Sequence, residues 1–388
     1  MNNENTGKYS RTKLGIIFFC IFIASFLLQG LRWKEFNIAD GKMWGNEAQY
    51  VQNNDPREFD FLAAYGYPAG SIIEGNIIVH KVLNISYDQA LLIIITLLNS
   101  LGIAGICIMC IILRGNNLWW MAVFGTLSLN RLYEYATPPT AVAAVFIVLL
   151  CLLTLYIYEQ REKSKSPYLV HWSLIAGFFI STRADIGVFS FIIFLFLIFK
   201  SVGWKKAGIL TAASFLSFVI FDPFMWFMPL QHIKDIIFKI FYFYAEQTQT
   251  SLGFVALLSI SFLACISLFL GISFLFLRKK TTPPLPVYFI VTLLIMTLGF
   301  YIIILKSHFQ AERYFLPIIF IWEVFLPLFI FYLIEKIDLT FLTIPNDQNK
   351  IRKIFQIFVI MLLYSYHIIF LVQAFWLTDL YKSLYFRT

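Results

Sequence analysis

Gln89-Ala-Leu-Leu-Ile-Ile-Ile-Thr-Leu-Leu-Asn-Ser-Leu-Gly-Ile-Ala-Gly-Ile-Cys-Ile-Met-Cys-Ile-Ile-Leu113 contains no charged residue from end to end. As an α-helix, at about 1.5 Å per residue, it reaches roughly 37 Å. That exceeds the hydrocarbon thickness of a bilayer, about 30 Å. Runs of the same kind recur along the whole chain, and they predict about eleven transmembrane helices, with a range of 10–13. They fall near 14–31, 89–113, 117–132, 140–158, 168–182, 186–203, 207–229, 252–277, 286–305, 314–335 and 354–377. Composition agrees with them. The 388 residues are 60% hydrophobic and only 13% charged, with 43 phenylalanines, and the mean hydropathy is +0.76. So few charges cannot cover so much apolar surface in water, which excludes a soluble enzyme. The expected fold class is an all-α integral membrane protein, residues 1–388 forming one polytopic domain.

Orientation follows from the distribution of Lys and Arg. Lys8, Arg11 and Lys13 precede the first run, whose length and lack of a small-x-small cleavage site fit an uncleaved signal anchor. With residues 1–13 as a cytoplasmic tail, the inner side holds 17 of the 30 basic residues and six of the 22 acids. The net charge of +8 is then about +11 inside and about −3 outside. The basic excess is topology and not a nucleic-acid patch, so no nucleic-acid partner is expected. Eleven spans place the C-terminus outside, in a bacterial-type cytoplasmic (inner) membrane. The five cysteines, including the Cys107-x-x-Cys110 pair, lie in apolar runs and read as packing.

The outer side carries the longer connections: a first outer loop at 32–88, a second outer segment at 230–251 and a last outer turn at 306–313. The first loop holds eight of the acids, yet its apolar patches (Phe59 to Tyr67, Ile77 to Val82) predict short interfacial helices. Asp40 and Glu47 follow soon after the first span. A carboxylate held there can take a proton from a hydroxyl as that hydroxyl attacks an activated sugar. Asp55, Glu58 and Glu74 read as solvated charges, with Asp60 intermediate between Phe59 and Phe61. Tyr65-Gly-Tyr-Pro-Ala-Gly sets turn residues between aromatic rings, so Tyr67 can wall a sugar or rest at the interface.

Further along, Arg131 and Glu134 mark the outer end of the third span, and Arg183 with Asp185 forms a short outer turn. Asp222, before Pro223 in Phe-Asp-Pro-Phe-Met-Trp, is costly in apolar surroundings unless paired, so it is expected to face a partner or a cavity. Glu323 invites the same argument. Lys306, His308 and Arg313 cluster in the last outer turn, where an Arg fork and a Lys point charge suit a lipid-linked phosphate. No Walker loop, G-x-G-x-x-G or zinc-ligand spacing occurs. The first-loop acids could hold a divalent cation (Mg or Mn), although nothing fixes a coordination geometry.

Taken in order, these motifs resemble the GT-C superfamily of polytopic glycosyltransferases, of the mannosyl- and aminoarabinose-transferase type. Asn46-Glu-Ala-Gln-Tyr looks like the family's first-loop acidic motif and Tyr67-Pro-Ala-Gly like its downstream turn. Thr182-Arg-Ala and Glu312-Arg-Tyr-Phe-Leu-Pro look like two later motifs. Two positions depart from the pattern: Asn46 stands where the family has Asp, and Thr137-Pro-Pro where a second acid is common. The resemblance implies an inverting transfer of a sugar from a polyprenyl-phosphate donor to a glycan, lipid or protein acceptor of the cell envelope. Glu47 or Asp40 would be the base. Arg313, with Lys306 and His308, would hold the departing phosphate, and Arg131, Glu134, Asp60, Tyr67 and Arg183 would complete substrate binding. The alternatives are an O-antigen-type polymerase or ligase, and a non-enzymatic transporter or flippase of lipid-linked sugars.

Overall fold

The computed structural model describes residues 11–30, 38–55, 70–114, 118–129, 168–182, 203–238 and 350–365, with single helical residues of the later runs such as Glu323, Val324 and Phe331. All regular structure among these residues is α-helical. Helix α1 (Arg11–Gly30) is followed by α2 (Ile38–Asn53) and α3 (Gly70–Leu83). Helices α4 (Tyr87–Arg114) and α5 (Trp119–Leu129) come next, then α6 (Tyr168–Thr182) and α7 (Trp204–Phe221). Two short helices close the series, α8 (Phe224–Phe227) and α9 (Pro229–Phe238). Three stretches among the described residues, Thr12–Gly30, Tyr87–Ile111 and Trp204–Phe221, are long and apolar enough to cross a membrane.

Helix α4 is the centre of the first half. Of its apolar window 56% is buried, against 17% for α1, because α1, α2, α3 and α5 all pack on it. Ile95, Ile103, Ala104 and Ile106 are fully covered, as are Cys107 and, nearly so, Cys110. Both cysteines are free thiols that fill space, as the sequence predicts. The outward face of α1 is the opposite case. Ile16, Phe19 and Leu27 are each about 60% exposed, an apolar surface suited to lipid chains and not to water.

The segment between α1 and α4 holds two helices among its described residues. Helix α2 docks through Ala48, which is completely buried, and ends where Asn54 turns both its N–H and its side-chain amide onto the Tyr50 carbonyl. Tyr87, at the start of α4, donates to Gln52 Oε1 at 2.7 Å and stacks on His80 of α3 with ring centroids 4.0 Å apart. Three elements are thus pinned at one end of the bundle.

Glycines set the closest helix contacts. A Cβ on Gly177 of α6 would stand 2.1 Å from the Ser214 carbonyl oxygen and 2.7 Å from the Phe218 nitrogen of α7. Small residues permit such backbone approach where no hydrophobic force drives helices together. Ser217 Oγ donates to the Leu174 carbonyl, and Phe178 meets Phe221 edge-on at 5.0 Å. These pairs advance together along both helices, so α6 and α7 run parallel. Gly125 of α5 receives the Tyr364 ring in the same way, and Tyr364 Oη donates to the Met121 carbonyl at 2.7 Å.

The span expected at 207–229 is interrupted. A residue before proline is pushed out of the helical region, and Asp222 is extended at φ −115°, ψ 99°. Pro223 then starts α8, and Pro229 starts α9 after Met228, again non-helical. The apolar run therefore ends at Phe221 and turns through two short helices.

Candidate functional site

The two prolines bring a buried polar cluster together among the described residues. Breaking the helix at Asp222 and restarting it twice folds α9 back, so that His232, ten positions on, reaches Asp222. His232 Nε2 donates to Asp222 Oδ2 at 3.0 Å, and both side chains are 0% exposed. The second carboxylate oxygen accepts the Phe224 N–H at 3.2 Å, an Asx turn that leads into α8. The Phe224 ring lies 5.6 Å from the imidazole. A buried carboxylate needs this full set of partners, because desolvation of an unpaired one costs several kcal/mol, about 3–5 when a pair is broken. The pairing that the sequence demands for Asp222 is met by this histidine.

Helix α3 closes the cluster from the segment between α1 and α4. The Gly70 Cα lies directly on the carboxylate: a Cβ there would be 2.4 Å from Asp222 Oδ1. One turn later Glu74 looks toward the same charge. It is half-buried, and burial first, then the nearby Asp222 charge, holds its carboxyl above the ordinary value of 4.5. Glu74 is therefore not the solvated charge expected of it, and Asp55 is likewise half-buried. For Glu74 the neighbouring charge, Asp222, is brought by the tertiary fold and not by the sequence. Asp235, one turn beyond His232 and nearly buried, accepts from Gln231 Nε2 at 2.9 Å. The Asp222 carboxylate fixes the orientation of the imidazole, and the pair fastens the end of α7 to α9, with the start of α3 packed against it at Gly70.

The expected catalytic acids lie on the neighbouring helix. Asp40 and Glu47 both belong to α2, seven residues or about two turns apart, and Glu47 is half-buried beside Ala48. Helix α2 packs on α3 and α4, so these acids are carried by a docked helix and not by a loose loop. Asp60, Tyr67, Arg131, Glu134, Arg183, Lys306, His308 and Arg313 lie outside the described residues. Among the described residues no group of three or more His, Cys, Asp or Glu side chains is arranged to hold a metal ion.

Sequence reasoning flagged Asp222 but passed over His232 and Glu74. The signal for His232 was the Asp-Pro…Pro pattern at 222, 223 and 229, which forces the chain to fold back within one segment. No protein-family model, curated protein or solved structure matches this chain.

Proposed function

We propose that the chain is a polytopic glycosyltransferase of GT-C type, with about eleven spans and its N-terminus inside a bacterial-type inner membrane. It moves a sugar from a polyprenyl phosphate to a glycan, lipid or protein acceptor of the cell envelope on the outer face. The observation that carries this reading is α2. An acid-bearing helix immediately follows an apolar helix long enough to span, and it is held against the bundle with Glu47 half-buried. A carboxylate in such a position keeps a fixed place beside a lipid-anchored substrate. Glu47 or Asp40 would take the acceptor hydroxyl's proton as its oxygen attacks the anomeric carbon. The carbon–phosphate-oxygen bond breaks with inversion, and Arg313, Lys306 and His308 would hold the negative lipid phosphate that leaves. Stabilising that charge is the larger part of the rate enhancement.

The test is transfer of radiolabelled sugar from a polyprenyl phosphate in proteoliposomes. Glu47→Gln or Asp40→Asn should lower transfer by about 10²–10⁴-fold, the usual worth of a general base, with membrane insertion unchanged. Full activity in both variants would remove these acids from the mechanism. One observation favours a second reading: the buried Asp222–His232 pair is the kind of ionisable group used by proton-coupled transporters. Sugar accumulating in the same liposomes without any covalent product would select it.

A further inference from the structure

The amphipathic pattern of α9 is inverted. Its inward side carries polar residues: His232 bonds Asp222, and Asp235 is nearly buried beside Ile236. Its outward side carries Leu230, 77% exposed, and Ile237, 49% exposed, seven residues apart on one helix face. In water the apolar residues of a surface helix turn toward the core and the polar ones toward solvent. The reverse arrangement needs a surrounding medium less polar than water. Helix α8 adds Trp226 and Phe227, each about half exposed, so four large apolar side chains stand uncovered in this short stretch.

The backbone at the junction is closed by the same stretch. Pro223 has no N–H, so the Val219 carbonyl of α7 loses the donor that a continuing helix would supply four residues on. The Trp226 indole N–H donates to that carbonyl instead. Water would satisfy such a carbonyl at no cost to the chain, whereas in a bilayer the chain must do so itself. The indole keeps its polar edge on the backbone and its apolar body exposed, as tryptophans do at membrane boundaries. Depth agrees. Trp204–Phe221 has 18 residues, about 27 Å of helix, close to the hydrocarbon thickness of about 30 Å. Exposed Lys205 and Lys206 mark its first end, so its last end is the opposite boundary, where α8 and α9 begin. Phe218, from the last turn of α7, shares a buried cluster with Met225 of α8 and Ile236 of α9, which holds both short helices at that level. Trp226 reaches α7 beside Ile220, which like Phe215 and Leu216 is about half exposed. The uncovered apolar surface thus runs on from the spanning helix.

We propose that α8 and α9 are an interfacial anchor, seated among the phospholipids of the leaflet at the C-terminal end of α7. Trp226, Phe227, Leu230 and Ile237 lie against the upper acyl chains. Lys234, exposed one turn after Leu230 on the same face, lays its stem over them and sets its ammonium on a lipid phosphate, the snorkelling of a long basic side chain. Residues 224–238 are thus neither a span nor a loop in water. The inward side of the same helix holds Asp222 through His232, and Asp222 meets Gly70 of α3, so the anchor fixes the depth of the buried pair. The anchor requires α7 to cross the membrane and is independent of the transfer reading.

The experiment is photocrosslinking of the full chain in nanodiscs of phosphatidylethanolamine and phosphatidylglycerol. The photoreactive p-benzoylphenylalanine replaces Leu230, Ile237 or, as the reference within the span, Phe215. Mass spectrometry is expected to find phospholipid adducts at all three positions in similar yield. Adducts at 230 and 237 that contain only protein would show a covering helix or a second copy. No adduct at either while position 215 labels would show water, and each of these results overturns the anchor. Leu230→Glu should lower the Tm in nanodiscs by about 2–4 °C or more, since the charge must leave water, whereas a solvated surface tolerates the change. An unchanged Tm overturns the anchor as well. Lys234→Gln should cut the preference of the position-230 adducts for phosphatidylglycerol by about fivefold, the worth of one Lys beside an anionic surface. An unchanged preference would overturn the phosphate contact.

Discussion

Gly70→Ala is a one-carbon test of the junction between the start of α3 and the end of α7. The added Cβ would stand 2.4 Å from Asp222 Oδ1, 2.6 Å from Cγ and 3.0 Å from Oδ2. Favourable carbon contacts begin near 3.5 Å, so the overlap is about 1 Å. The carboxylate cannot turn aside freely, since one oxygen is tied to His232 and the other to the Phe224 N–H. Tearing it from the imidazole costs about 3–5 kcal/mol. Retreat of α3 costs about 1–3 kcal/mol as an overpacked contact, and this cheaper route governs. Alanine's helix preference returns up to about 1 kcal/mol in a helix interior, and less at Gly70, which opens α3. The expected net loss is about 2 kcal/mol. Gly15→Ala is the matched control, because nothing lies within 4 Å of its Cβ; it should be neutral or slightly stabilising. Equilibrium unfolding in mixed micelles, followed by tryptophan fluorescence, measures both. In an Asp222→Ala background the same Gly70→Ala change should become nearly harmless, because the overlapping atoms are gone. Equal stability of the two glycine variants, or strict additivity with Asp222→Ala, would refute the reasoning.

Two further outcomes follow from the same geometry. Because Glu74 holds its proton above the ordinary 4.5 in the folded state, its stabilising contribution is complete below that value and is lost as pH rises through the raised one. Glu74→Gln should leave stability in acid unchanged and increase it near neutrality, read from melts across pH; the same increment at both would contradict it. Gly177→Ala should cost more than Gly70→Ala, about 3 kcal/mol or above, since its Cβ meets main-chain atoms of α7 that no rotamer change can move. A melt showing a smaller loss than Gly70→Ala would show that the two helices separate easily.

The sequence makes the apolar helices legible because an uninterrupted run such as Gln89 to Leu113 admits no other use. It also shows that Asp222 needs a partner, since a carboxylate beside Phe221 and Pro223 has no cheap alternative. It does not show which partner. His232 reaches Asp222 only after two proline breaks reverse the chain, and the apolar character of Phe224 to Met228 makes those residues read as the continuing span that ends instead at Phe221. Glu74 reads as solvated because its neighbours along α3 say nothing of Asp222, which is 148 positions away. Local pattern gives each helix its faces, whereas pairing between faces is a property of the assembled bundle.

The parallel pairing of α6 with α7 bears on the order in which the molecule is assembled. Two consecutive helices that run parallel are not a hairpin, so their contact does not form by a single turn of the chain. Gly177 therefore stays uncovered on this face until synthesis has delivered α7 and its Ser214. A nascent chain stopped short of residue 204 would keep that groove open to another helix. The close backbone contact is thus a late event of biogenesis, and a helix supplied in trans at that stage would compete for the place that α7 comes to occupy.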